Sequence, residues 1–203
     1  MTQSPLFALT DLADPAPKPE TTRSVSLATV DTDQRTALGA RLQTCADVIG
    51  QIRHGETIHY ASMGDWSTHD LVFHLLDQIG PAELHLATWS MTPDPIAQLI
   101  RMMDEGRLTA VHALLDWRIK VRGPEVLAMA KHRLARVAVA SCHAKVTVLR
   151  NADWRIAIVG SANYTRNPRI EAGIITTAPA VAEFHQAWID AEIRGGKPFE
   201  GAA

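Results

Sequence analysis

The chain has 203 residues, a mass of 22.2 kDa, a hydrophobic content of 46% and a formal net charge of -2. That length supports one substantial core and leaves little room for a second independent domain, while no apolar run approaches the roughly 18 residues of a membrane-crossing helix. The small net charge hides an asymmetry: residues 1–116 hold 7 Lys/Arg against 15 Asp/Glu, residues 117–170 hold 11 against 2, and residues 171–203 hold 2 against 5.

Residues 1–27 are rich in Pro, Thr and Asp without periodicity and read as a flexible arm. They lack a basic segment leading into an apolar one, so no secretory signal is expected. A single domain is expected over 28–203. It opens with one amphipathic helix at about 31–53, where Leu38, Leu42, Cys45, Ala46, Ile49 and Ile52 recur at helical intervals. "TIHYAS" (57–62) alternates as a strand, and Ser67 and Asp70 then have capping-box spacing ahead of the stripe Leu71, Leu75, Leu76 and Ile79. Gly80-Pro81 stops that helix. "ELHLATW" (83–89) predicts a strand, Thr92-Pro93 the start of a helix, and "LTAVHALLDW" (108–117) a central strand.

"GPEVLAMAKHRL" predicts a short helix, "ARVAVAS" and "AKVTVL" strands, "RNAD" a turn and "WRIAIVG" the returning strand of a hairpin near 145–159. "EAGIITT" (171–177) adds a last strand, and "APAVAEFHQAWIDAEIR" a closing helix. Alternating strands and helices imply an α/β domain with a mixed sheet, and ligands in such sheets lie at strand ends. Ser62 to Ser67, Trp89 to Thr92 and Asp116 to Trp117 are therefore candidate neighbours of a site.

Several chemistries find no support. The glycines form neither a dinucleotide fingerprint nor a phosphate-binding loop, and no Gly-x-Ser-x-Gly elbow is present. Asp104 and Glu105, in the last turn of a helix, read as structural or solvated. No Cys/His spacing resembles a structural zinc site, and no metal or other cofactor is expected. Cys45 and Cys142 can form one bridge at most, which makes a reducing cytoplasm the simpler location.

The stretch "CHAKVTVLRNADWRIAIVGSAN" (142–163) stands apart. His143 and Lys145 are two apart, which in a strand places both on one face. Two such groups are costly to bury unpaired, and a phosphate would supply the missing negative charge. A neutral imidazole is a usable nucleophile on phosphorus, and an ammonium offsets charge on the non-bridging oxygens. Gly160-Ser161-Ala162-Asn163, at the end of the neighbouring strand, offers small residues and polar donors to the same oxygens. On residue chemistry alone, a phosphoryl site and an exposed edge hairpin both remain open.

His-x-Lys joined to Asp153, six residues and Gly-Ser-x-Asn resembles the HKD motif of the phospholipase D superfamily. The resemblance implies a phospholipase D-like mixed β-sheet flanked by helices, over roughly residues 50–195. It implies His143 as a nucleophile forming a phosphohistidine, Lys145 and Asn163 as phosphate-oxygen holders with Ser161 nearby, and Glu171 as a hydrogen-bond partner of the nucleophile. Cys142, next in sequence to His143 but facing the other way, is assigned to packing. The family spacing puts Arg150 where the acid is expected and Asp153 three residues later. Either a longer turn keeps Asp153 in a supporting role, or Asp153 is turn surface.

With one motif per chain, the resemblance is to single-motif nuclease-like members, which complete the site across a two-fold axis as homodimers. The net +9 block at 117–170 suggests a polyanionic substrate. A metal-independent nuclease is the first expectation, with Arg118, Lys120, Arg122, Lys131, Arg133, Arg136, Arg166 and Arg169 as phosphate contacts. A phospholipid-processing enzyme and a catalytically silent nucleic-acid or partner-binding module are the alternatives. No stable membrane association is expected.

Overall fold

The computed structural model describes residues 31–166 and 168–195. Eight strands form one mixed sheet: β1 (Asp33–Leu38), β2 (Glu56–Ser62), β3 (Ala82–Thr88), β4 (Leu108–Asp116), β5 (Arg136–Ala140), β6 (Val146–Arg150), β7 (Arg155–Gly160) and β8 (Glu171–Thr176), in the spatial order β1-β2-β8-β7-β6-β3-β4-β5. The pairs β1/β2, β3/β4 and β4/β5 are parallel, and the four central pairings are antiparallel. The helices are α1 (Cys45–Ile49), α2 (Thr68–Ile79), α3 (Pro93–Asp104), α4 (Ile119–Arg122), α5 (Pro124–Arg133) and α6 (Pro179–Gly195).

The one helix expected over 31–53 is instead β1, a turn and the short α1. Arg35 to Ala37 and their neighbours hydrogen-bond to β2 in register Asp33↔Glu56 through Leu38↔Ala61, and Arg35 Nε donates to Glu56 Oε1 at 2.7 Å. Sheet pairing supplies backbone partners that local spacing cannot reveal. Leu42, at φ 66°, interrupts any continuous helix, and Leu38 and Leu42 are 75% and 94% exposed, so they never belonged to the buried stripe. Cys45 and Ile49 do face the core, behind a capping box of Thr44 and Asp47. The arm at 1–27 lies outside the described residues.

Strand alternation divides the core in two. Leu84 and Leu86, Val111, Ala113 and Leu115, Leu149, Ile156 and Ile158 pack with α1, α2, α3 and α5 on one face. Ala87, Leu114, Val146, Val148 and Ala157 face the opposite way, where Ala182 and Ile189 of α6 cover them. Val181, Trp188 and Ile193 of α6, half-buried, add to the cover of this second face. Ile189→Ala is expected to cost about 2–5 kcal/mol in urea denaturation; a loss below about 1 kcal/mol would mean that this helix is held by other contacts.

Candidate active site

One end of the sheet collects the chemistry. β3 and β4 run toward it in parallel, β6 starts there, β7 ends there and β8 starts there. Ala87 is level with Val146, Val146 with Val159, and Gly160 with Gly173, which in turn pairs with Tyr60. The Gly160 N–H donates to the Lys145 carbonyl at 3.1 Å, extending the β6/β7 ladder one step ahead of the start of β6.

Two glycines make this row possible. A Cβ on Gly173 would lie 2.6 Å from the Tyr60 hydroxyl, and one on Gly160 would lie 2.9 Å from the Ala172 carbonyl oxygen. Either would collide, so the first position of Gly-Ser-x-Asn is glycine for lack of space.

His143 and Lys145 both precede β6, in an irregular segment over 142–145, whereas the pattern "AKVTVL" predicts a strand that already includes Lys145. They still share surroundings. The His143 ring centroid is 5.4 Å from that of Trp89, and Lys145 Nζ lies 5.9 Å from the same ring and donates to the His143 carbonyl at 2.9 Å. Arg118 lies over Trp89 at 5.1 Å. Trp89, at the end of β3, is thus a platform touched by one imidazole and two cations.

His143 is exposed and Lys145 half-buried. Together with Ala144, Val146, Val159, Gly160 and Ser161 they line one open depression.

The Gly-Ser-x-Asn turn is stitched to the loop after β3. Tyr164 N–H donates to the Ser90 carbonyl at 3.2 Å, Thr92 N–H donates to the Tyr164 carbonyl at 3.0 Å, and the buried Tyr164 hydroxyl is 2.8 Å from Thr147 Oγ1. Asn163 Oδ1 lies 3.4 Å from the Thr88 hydroxyl, and Thr68 Oγ1 approaches the Asn163 carbonyl at 3.4 Å. Ser161 Oγ donates to the Glu171 carboxylate and accepts the Ala172 N–H at 3.1 Å. His143, Lys145, Ser161, Asn163 and Glu171 therefore all occupy this one end of the sheet.

Asp153 does not. It lies in the tight turn joining β6 to β7, where its N–H and that of Trp154 donate to Asn151 Oδ1 at 3.0 and 2.9 Å. That turn is at the opposite end of β6 from Lys145. Arg150, at the position the family spacing reserves for the acid, pairs instead with Glu83 Oε2 at 3.0 Å.

Asp116 was noted in the sequence only as a neighbour, and its positioning role is a structural finding. Its side chain is 1% exposed, and it accepts the Cys142 N–H at 3.1 Å through one oxygen and the Arg118 N–H at 3.1 Å through the other. It therefore ties the end of β4 to the segment that carries His143 and to the loop that carries Arg118. Only its place at the end of a central strand hinted at this. Cys142 packs under the segment with α6, and burial pushes its thiol pKa up, as suits a packing residue.

The eight basic residues separate into two groups. Arg118 and the exposed Lys120 and Arg122 follow β4 at the site end, and Arg166 and Arg169 follow the Gly-Ser-x-Asn turn, with Arg166 paired to Asp94 at 2.6 Å. Lys131 and Arg133 end α5, and Arg136 begins β5, at the other end of the sheet. Arg133 pairs there with Asp104. Among the described residues, no helix is long and apolar enough to cross a membrane.

No protein-family model matches the chain, and no curated protein matches it. Solved structures do. A phospholipase D family member, Nuc from Salmonella typhimurium, is 20% identical with a TM-score of 0.51, over 66% of this chain and 91% of that one. NucT from Helicobacter pylori is 15% identical with a TM-score of 0.53, over 68% of this chain and 97% of that one.

Asp116→Ala would leave the Cys142 N–H without its buried acceptor, at an expected cost of about 1–3 kcal/mol in chemical denaturation. Cys142 should then react faster with a thiol reagent under native conditions; unchanged stability and unchanged labelling would show that the segment does not depend on this carboxylate. At these identities the likeness to Nuc and NucT is one of architecture, and the chain has the mixed α/β sheet, flanked by helices, of the phospholipase D-like fold.

Proposed function

We propose that the chain is a phosphodiesterase that hydrolyses nucleic-acid phosphodiester bonds, in a site completed by a second copy of itself. The observation that carries this reading is the shared depression of His143, Lys145 and the Gly160-Ser161 turn beside the Trp89 and Arg118 platform. A phosphate seated there would meet an imidazole nucleophile, an ammonium and polar donors on one side.

In the first step the His143 lone pair attacks phosphorus, the P–N bond forms and the bond to the leaving oxygen breaks. Lys145 and the Asn163 amide hold the non-bridging oxygens as charge builds on them. The leaving oxygen needs a proton from a group on the far side of phosphorus, and the exposed position of His143 leaves room for a second copy's imidazole to supply it. That imidazole then takes a proton from water, the water oxygen attacks phosphorus, and the P–N bond breaks to regenerate His143. Nucleophile and positive charge both come from side chains, so the step needs no metal ion. Glu171 acts through Ser161, whose hydroxyl it holds, and Asp153 has a structural part in its turn.

Arg118, Lys120, Arg122, Arg166 and Arg169 are placed to steer and seat the polyanion, with Trp89 available for stacking against a base.

Incubated with labelled DNA or RNA in EDTA, the wild type should cleave and His143→Ala should lose activity by at least a thousandfold. Cleavage by both, or loss in EDTA that magnesium restores, would contradict the mechanism; binding without cleavage by the wild type would favour a silent binding module. Separately, binding should weaken steeply with salt. Arg118→Ala or Arg122→Ala should reduce the salt slope by about 1, whereas replacing Lys131, Arg133 and Arg136 together should leave affinity within about twofold if the phosphate track follows the site end.

A further inference from the structure

The other half of β3 carries a second polar cluster, on the face covered by α6. His85 and His112 are register partners in the parallel β3/β4 pair, and their rings stack with centroids 4.6 Å apart. Glu83, two residues before His85, points the same way. Its Oε1 lies 3.3 Å from His85 Nε2 and 2.8 Å from His112 Nε2, and one donor atom from each of the three residues lies within 4.8 Å of the others. From α6, Asp190 Oδ1 lies 2.8 Å from His85 Nδ1.

The proton arrangement around His85 leaves something to be supplied. A carboxylate only accepts, so Nδ1 carries the proton shared with Asp190. In the neutral ring Nε2 is then a bare lone pair. It is buried, it has no hydrogen-bond partner, and it faces a carboxylate oxygen, another acceptor. The side chain is 3% exposed, so water cannot relieve the conflict freely. Charge points the same way: Glu83 and Asp190 contribute two negative charges, and Arg150, on Glu83 Oε2, returns one.

We propose that Glu83, His85 and His112 bind a divalent cation of the zinc type, with Glu83 Oε1 and one nitrogen of each imidazole as its three protein ligands. Two imidazoles and one carboxylate suit zinc, and water would take the fourth position. Bonds of about 2.1 Å at tetrahedral angles separate ligand atoms by roughly 3.4 Å, close to the 3.3 Å between His85 Nε2 and Glu83 Oε1. The 2.8 Å edge to His112 opens slightly as the ion replaces its proton.

Asp190 orients His85 through the other ring nitrogen, and Arg150 holds the second oxygen of Glu83, both as outer partners. Glu83, 27% exposed at its side chain, gives the ion a way in. Bound there, the ion ties α6 through His85 and Asp190 to the face of the sheet that it covers. It lies at the opposite half of β3 from Trp89 and His143 and is independent of the reaction proposed there.

Untagged protein would be stripped with a chelator, dialysed against micromolar zinc, passed through gel filtration and assayed for metal by mass spectrometry. Wild type and His143→Ala should each retain close to one zinc per chain, and His112→Asn and Glu83→Gln less than a tenth. Zinc should raise the melting temperature of wild type and leave that of His112→Asn unchanged. Asp190→Asn, which keeps all three ligands, should bind about 10–100-fold more weakly and guards against a variant that merely fails to fold. Cobalt in place of zinc should give tetrahedral d–d absorption. A wild type that retains no zinc, or retention unchanged in His112→Asn, would overturn the assignment.

Discussion

Asp116 is a carboxylate almost wholly removed from water at the end of a central strand; its oxygens accept backbone N–H groups of two segments that belong to the candidate site, and Arg118 Nε lies 3.0 Å from Oδ1 as its charge partner. Such a group is costly in the interior unless donors and a counter-charge stay in place around it. The constraint therefore runs outward: Cys142 is fixed at one end of a short segment and β6 at the other, and His143 and Lys145 between them lie beside Trp89. The antiparallel seating of β6 between β3 and β7 then sets Lys145 level with Gly160. Loop residues become a geometry because a buried charge and a ladder leave them little choice.

The two ends of β3 carry different chemistry for a reason rooted in topology. Toward its C-terminal end the neighbouring strands stop or begin, loops open, and polar groups meet solvent: Thr88, Trp89, Asn163 and Lys145 gather there. Nearer its start β3 runs between β4 and β6, and the face toward α6 is closed. Polar side chains on that face can turn only to one another; Glu83, His85, His112, Arg150 and Asp190 do so, yet His85 Nε2 and His112 Nδ1 are left without a hydrogen bond. Arg150 belongs to this second set. The partner it meets across the sheet, in register, is Glu83.

Legibility in the sequence followed the range of the interactions involved. Strands β2 to β8 and the helices α2, α3, α5 and α6 were readable because period, caps and punctuating glycines are local; Ser67 and Asp70 form the expected box. The region 31–53 was misread because β1 exists only by pairing with β2, and the residues that seemed to extend a helical stripe, Leu38 and Leu42, are exposed. His143, Lys145 and Gly-Ser-x-Asn were readable through their spacing. Trp89 was marked only as a neighbour, and the role of Asp116 was hidden, since a tryptophan and an aspartate at strand ends carry no pattern. Glu83, His85 and His112 were invisible as a group for the same reason: parallel pairing brings together residues 27 apart, a distance that no short ligand motif spans.

The account stands or falls on His143 as the group that takes the phosphoryl moiety. The most direct measurement is rapid acid-free quenching of the protein with a nucleic-acid substrate, followed by peptide mass spectrometry. A nucleotide adduct on the peptide containing His143, labile in acid and absent from His143→Ala, is the result the account predicts. Turnover without any adduct at His143, or an adduct on another residue that persists in His143→Ala, would contradict it.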